Sequence, residues 1–311
     1  MTIGIAAAGP GAGRAVCRAL AAVECIGRGA IGGFVSFVAL TGSGAPLRAE
    51  IQAGGIGALF GADLADLPPE MAGARIAGLM SSGPNRPEPL SRFTPAKQGV
   101  GLVTGHRMPN TPGTGGRALN DDVLALMETG LSPEAAVTRV VAANPEVDAG
   151  LIALSASGEM FLADTALVGR RGDCGQALLR AGPGAGGACV LHNSILPDRP
   201  LAQLVAGICL DTMWPPDRAD GVLALAAGVS VRVGPQNALL CDAAGTVSEI
   251  LVQDPKFATG EWSLGLGHNP PVLRGGRAAG VMLYEPYLVV RDGRVASIDG
   301  GRDLVVPVRW L

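Results

Sequence analysis

GVGLVTGHRMPNTPG (residues 99–113), GLSPEAAVTRVVAANP (130–145) and GLIALSASGEMFLADT (150–165) are three segments that read, in order, as strand, helix and hairpin. In the first, Gly99–Thr104 is apolar without alternation, the pattern of a strand buried on both faces, and Pro and Gly punctuate the loop that follows. In the second, Ser132 stands at an N-cap, Pro133 at the first helical position and Glu134 in the first turn, while Asn144-Pro145 stops the helix. In the third, Ser155-Ala156-Ser157-Gly158 is a turn between two apolar runs. Strand, helix and hairpin joined by short connections predict mixed α and β structure with mainly antiparallel sheets.

Working outward, Ile3–Ala8 predicts a strand, Gly9-Pro10-Gly11-Ala12-Gly13 a turn, and residues 15–26 a helix with Gly27 just beyond its end. Residues 34–56 read as a hairpin turning at Thr41-Gly42-Ser43-Gly44. The stretch 61–98, rich in proline and mixed charge, predicts a long surface excursion. Asn120-Asp121-Asp122 reads as the cap of a short helix ending at Gly130. Residues 201–228 hold a helical stretch broken by Pro215-Pro216. Beyond Val229 the chain is strand and turn, with Asp292-Gly293 a strong hairpin signal. The expected organisation is a core over 1–228 and a β-rich region over 229–311.

Composition excludes several classes. Hydrophobic residues make up 48% of the 311 and charged residues 16%, too apolar for a disordered chain. Net charge is −3, Lys97 and Lys256 are the only lysines, and the arginines are scattered. Nucleic acid is therefore not an expected partner, since phosphate binding needs a clustered basic face. The six cysteines are widely spaced and predict reduced thiols. The opening MTIGIAAAGPGAG lacks a basic and a long apolar region, so no signal peptide is expected. No run reads as a membrane span, and the expected address is cytoplasmic. GPGAG departs from the GxGxxG spacing, which argues for a packing turn over a dinucleotide site. His106, His192 and His268 are isolated, and Asp211, Asp217 and Asp220 match no calcium loop. Neither a metal nor a cofactor is expected.

One thiol invites a catalytic reading. Cys174 lies in Arg171-Gly172-Asp173-Cys174-Gly175-Gln176, where flanking glycines expose it and arginine favours a thiolate, and His192-Asn193 follow in the order of thiol hydrolases.

The three opening segments, together with MTIGIAAAGPGAG, resemble a bacterial Ntn-hydrolase-like family. Its pattern is a GVGxV strand, a loop holding Asn, a "GLSPEEAL…LLAADP" helix and a strand pair around a tight turn. The likeness spans about half the chain and fades after Cys189. It implies an α+β fold, a four-layer αββα sandwich of two antiparallel sheets between helices, carrying the β-rich C-terminal region as an extension. It also implies an amidohydrolase acting on a small amide, and the expected partners are a small-molecule substrate and further copies of the chain in a homo-oligomer. The implied nucleophile is an N-terminal Thr, Ser or Cys with its own α-amine as base. Thr2 becomes such a residue on loss of Met1. Thr165 is the second candidate, because Asp164-Thr165 resembles the self-cleavage junction of asparaginase and isoaspartyl-peptidase enzymes. GPGAGG (182–187) would then stand for their glycine-rich oxyanion loop. Asn110 matches the family's loop asparagine and would donate to an oxyanion. His106 beside it joins the catalytic set, and Arg107, Thr104 and Gly113 would contact substrate, with Arg107 gripping a carboxylate. The rival reading is a non-catalytic member of the same fold that binds a ligand or assembles with a partner. It draws on Ala163, which stands where the asparaginase group has a histidine.

Overall fold

Residues Thr2–Ala8 form a strand, β1, whose side chains are all buried because both of its faces are covered. Around it the computed structural model describes residues 1–182, 184–215 and 219–311. The chain divides into two units, Met1–Pro215 and Pro216–Leu311.

In the first unit β1 is followed by α1 (Ala12–Ile26), β2 (Val35–Leu40), β3 (Pro46–Ile51) and the short helices α2 (Gly55–Phe60) and α3 (Pro69–Ala72). Next come β4 (Ile76–Ser82), β5 (Ala96–Lys97), β6 (Gly101–Arg107), α4 (Leu119–Glu128) and α5 (Pro133–Ala143). The unit closes with β7 (Ala149–Ser155), β8 (Met160–Asp164), α6 (Ala166–Gly169), β9 (Cys174–Arg180), β10 (Gly187–Asn193) and α7 (Asp198–Met213). Two antiparallel sheets result, one ordered β3-β2-β4-β1-β10-β9 and the other β5-β6-β7-β8.

Strand alternation sorts the side chains into layers. Ile3, Ile5 and Ala7 of β1 share a core with Val16 and Leu20 of α1 and Val205 and Cys209 of α7. Ala6 and Ala8, on the opposite face, pack with Leu102 of β6 and Ile152 and Leu154 of β7, so the two sheets lie face to face. Val103 and Leu151, on the far side of the smaller sheet, pack with Val123 of α4 and Val137 of α5. Each buried Leu, Ile or Val in these layers is worth about 1.5–3 kcal/mol. The sheets approach closely at Gly4, where a Cβ would stand 2.3 Å from the Gly105 carbonyl oxygen. No helix among the described residues is long and apolar enough to cross a membrane, and all six cysteines are free thiols.

The second unit contains β11 (Gly221–Ala226), β12 (Ser230–Val233), β13 (Ala238–Cys241), β14 (Val247–Val252) and β15 (Glu261–Leu264). It continues with β16 (Pro271–Arg274), β17 (Arg277–Met282), β18 (Leu288–Arg291), β19 (Arg294–Ile298) and β20 (Asp303–Trp310). All ten join one sheet around a core that includes Leu223, Leu239, Ile250, Val272, Val290 and Val306. β12–β14 and β13–β16 pair parallel and the other ladders antiparallel. Asp292 and Gly293 both have positive φ, as the tight turn between β18 and β19 requires.

The molecule is therefore α+β, about 25% helix and 38% strand, with predominantly antiparallel sheets and a β-rich C-terminal region. Three local expectations need correction. The stretch 61–98 is not a surface excursion: it contains β4, wholly buried between β2 and β1, with the prolines confined to the connections on either side. Asn120 does not cap α4; it lies buried inside the helix, donating Nδ2 to the Arg92 carbonyl at 2.7 Å. The division between the units falls at 215/216 instead of 228/229, because β11 pairs with β20 and so joins the C-terminal sheet. Pro216 and Asp217, named in the helix-break and calcium-loop readings, lie outside the described residues, as does Pro183 of the GPGAGG loop.

Candidate active site

Register and alternation gather a row of polar side chains at one end of the space between the sheets. In the larger sheet Thr2 pairs with Asn193, and Asn193 with Cys174. In the smaller one His106 pairs with Gly150, and Gly150 with Asp164. All of these positions share the parity of residues in the inter-sheet core, namely Ala6, Leu191, Leu102, Ile152 and Leu162.

Thr2 is 7% exposed, and its hydroxyl is held by two bonds of 2.6 Å. It donates to Asn193 Oδ1 and accepts from the Arg107 amide. The direction of each proton follows from the far end of the chain. Arg171 forks onto Asp173 at 2.9 and 2.7 Å, and this pairing, seconded by the Ser194 hydroxyl, holds the Asp173 carboxyl well below the usual carboxylate range. An ionised carboxylate only accepts, so Ser194 Oγ donates to it. Ser194 Oγ must then accept from Asn193 Nδ2, at 3.0 Å, which turns Asn193 Oδ1 toward Thr2. The carboxylate thus orients the threonine hydroxyl through two intermediaries. Arg107, which ends β6, and Ser194, just past the end of β10, both take left-handed φ. Such backbone strain costs about 1–3 kcal/mol per residue and collects at functional sites.

Thr2 opens onto a cavity of about 380 Å³ walled by Phe34, Met80, Phe93 and Met108, with Ser82, Arg86, Glu88 and Arg107 supplying polarity. Phe34 and Phe93 stack with ring centroids 5.0 Å apart. The Met1 amine at its edge has a pKa lowered from its ordinary value, chiefly by burial and then by the nearby charges of Arg107, Arg86 and Arg171. Met1 also offers its carbonyl to the Ser82 hydroxyl.

The other expected residues divide. His106, fully buried, meets Asp164 at 2.7 Å across Gly150, where a Cβ would stand 2.1 Å from Asp164 Oδ1; only glycine leaves room for that pair. Arg107 borders the cavity, but its guanidinium forks onto Asp148, so it is not the free carboxylate clamp expected of it. Thr104 is not in the cavity either: its hydroxyl donates to the Leu79 carbonyl at 2.9 Å, tying the two sheets together. Thr165 caps α6, donating to the Val147 carbonyl at 2.6 Å and accepting from the Val168 amide. Asn110 is buried with an unpartnered Oδ1 and is absent from the cavity wall, and Gly113 packs against the Asn144 amide group instead.

The Cys174–His192 reading fails on alternation. His192 pairs beside Gly175 and faces the α7 side of the sheet, so it and Cys174 lie on opposite faces. Burial first, then Asp164 and Asp173, push the Cys174 thiol up to about 11, overriding Arg171. Sequence reasoning passed over Arg86 and Asp164 as site residues and saw Asn193 only as a partner for the thiol. Their role depends on pairings that no local motif marks.

A larger cavity, about 770 Å³, lies at the other end of β1 among glycine-rich hairpin tips. Its serines, Ser43 and Ser157, share hydrogen bonds of 2.8 Å with the hydroxyls of Thr41 and Ser155. Among the described residues no group of His, Cys, Asp and Glu could hold a metal ion.

Fold and site together define an α+β domain with a buried, hydrogen-bonded threonine at the start of a central strand. The chain belongs to the family described as Domain of unknown function (DUF6963), whose model matches residues 2–222. Residues 228–303 match a second family model, Domain of unknown function (DUF7259). No curated protein matches the chain.

Proposed function

We propose that the first unit is a small-molecule amidohydrolase of the Ntn type with Thr2 as nucleophile. In this reading its succession of helices, six-stranded sheet, four-stranded sheet and helices is the four-layer αββα Ntn sandwich. The observation that carries it is the Thr2 hydroxyl, buried at the head of the central strand β1, oriented by Asn193 and the Arg107 amide, and facing a cavity. Cleavage of the Met1–Thr2 bond frees an α-amine on the nucleophile itself. An ordinary α-amine has a pKa of about 8, so a share of it is unprotonated near neutral pH and can act as base. Thr2 Oγ1 then attacks the substrate carbonyl while its proton passes to the α-amine and on to the departing amine. The resulting ester on Thr2 is hydrolysed by water, releasing the acid. The Arg107 N–H stabilises negative charge on Oγ1.

The test is intact-mass spectrometry followed by labelling with a neutral β-lactone. The wild type should lack Met1 and gain one ester, mapping to Thr2. Thr2→Ala should gain none, and Asn193→Ala should label about a hundredfold more slowly. Retention of Met1 together with an unlabelled Thr2 refutes the proposal.

A further inference from the structure

We infer that Arg86 is the carboxylate-binding residue of the Thr2 cavity, which restricts its ligands to small amides carrying a free carboxylate beside a flat apolar group. The inference rests on the Thr2 reading for what happens to the amide, but not for what binds.

Two guanidinium groups line the cavity, and among the described residues only that of Arg86 lacks a carboxylate partner. Arg107 is held by Asp148 through both arms of its fork. Arg86 has no carboxylate within ion-pairing distance among the described residues. Its Nη2 donates to the neutral Ser82 hydroxyl at 2.8 Å, and its Nε is buried with no hydrogen-bond partner among the described residues. A buried N–H without an acceptor is costly, and a bidentate carboxylate is the ligand whose geometry satisfies a guanidinium edge. The group is also placed with care. Gln52 clamps the Arg86 backbone from both sides, accepting from its N–H at 2.8 Å and donating to its carbonyl at 2.9 Å. The guanidinium lies 5.3 Å from the centroid of the Phe34 ring, which itself stacks on Phe93. Glu88 also lines the cavity but does not pair with Arg86, so it leaves the cation available. A ligand carboxylate on Arg86 would therefore sit beside an aromatic wall, with Thr2 within the same 380 Å³ space.

Calorimetric binding of hippurate, which joins a benzoyl amide to a carboxylate, is compared with that of N-methylbenzamide, which lacks only the carboxylate. The wild type should favour hippurate by at least tenfold, and Thr2→Ala should keep that preference. Arg86→Gln should abolish it, while Arg86→Lys, which keeps the charge without the fork, should retain part. Should Arg86→Gln not fold, a narrowed preference in Arg86→Lys gives the same reading. No preference in the wild type, or a full preference in either Arg86 variant, overturns the assignment. If Thr2 resists the lactone while Thr2→Ala still favours hippurate, the hydrolase reading falls and the carboxylate site stands.

Discussion

His192 should make this protein lose stability steeply between neutral and mildly acidic pH. It is fully buried on the α7 face of β10, and neither ring nitrogen has a hydrogen-bond partner in good geometry among the described residues. Burial, reinforced by His106 and only partly offset by the backbone and charge of Asp198 and by Asp173, holds its pKa down to about 4. In the unfolded chain a histidine titrates near 6.5, so between these values the unfolded state binds the extra proton. A depressed folded pKa contributes stability that is complete above about 6.5 and drains away as pH falls toward about 4. Taking both titrations together, the loss between pH 7.5 and 4.5 comes to roughly 2–3 kcal/mol, a large part of a typical folding free energy. Urea unfolding at pH 7.5, 6.0 and 4.5 of the wild type and His192→Gln measures it. The carboxylates titrate alike in both proteins, so the difference between the two pH profiles isolates His192. Whatever the variant's stability at neutral pH, its profile should lack that extra acid loss. Parallel profiles for the two proteins would refute the reasoning.

Two further outcomes test assignments at the site. Cys174, with its thiol raised to about 11, should react with iodoacetamide at pH 7.5 at least tenfold more slowly than an unstructured peptide thiol; a rapid, stoichiometric labelling of Cys174 would restore a thiol nucleophile. Thr165→Ala should cost about 1 kcal/mol in urea unfolding, the usual worth of a helix cap. The same change also removes a buried donor, yet the β-lactone should still label Thr2. Loss of that labelling would return Thr165 to the catalytic set.

The elements that could be read in the chain are those whose signal is local. β1, α1, α5 and the hairpins β2–β3, β7–β8 and β18–β19 each have their periodicity, cap or turn residues within a few positions. Ser132 caps α5 through its own hydroxyl, accepting from the Ala135 amide, a bond three residues long. β4 escaped notice because the prolines around it are a loop signal, whereas its burial comes from β1 and β2 on either side.

At the site the same distinction holds over longer spans. His106 and Arg107 could be picked out by their position after a buried strand, and Thr2 by the family resemblance. Thr165 could be picked out by resemblance just as readily, yet its hydroxyl is spent on the turn beneath it. What separates them is the company each keeps. Thr2 meets Asn193 across 191 residues of chain, Arg107 meets Asp148 across 41, and His106 meets Asp164 across 58 because Gly150 lies between them.

By itself, then, the sequence determined those strands and helices whose signals are local, that the sheets are mainly antiparallel, and which residue types stand ready for chemistry. Only the tertiary structure decided that Thr2 faces the space between the sheets with Asn193, that Cys174 and His192 lie on opposite faces, and that, among the described residues, Arg86 has no ion pair where Arg107 has one. The physical reason is that backbone preference and side-chain period act over a few residues, while strand order and register decide which side chains share a face. A one-residue change of register would exchange every partner in the site.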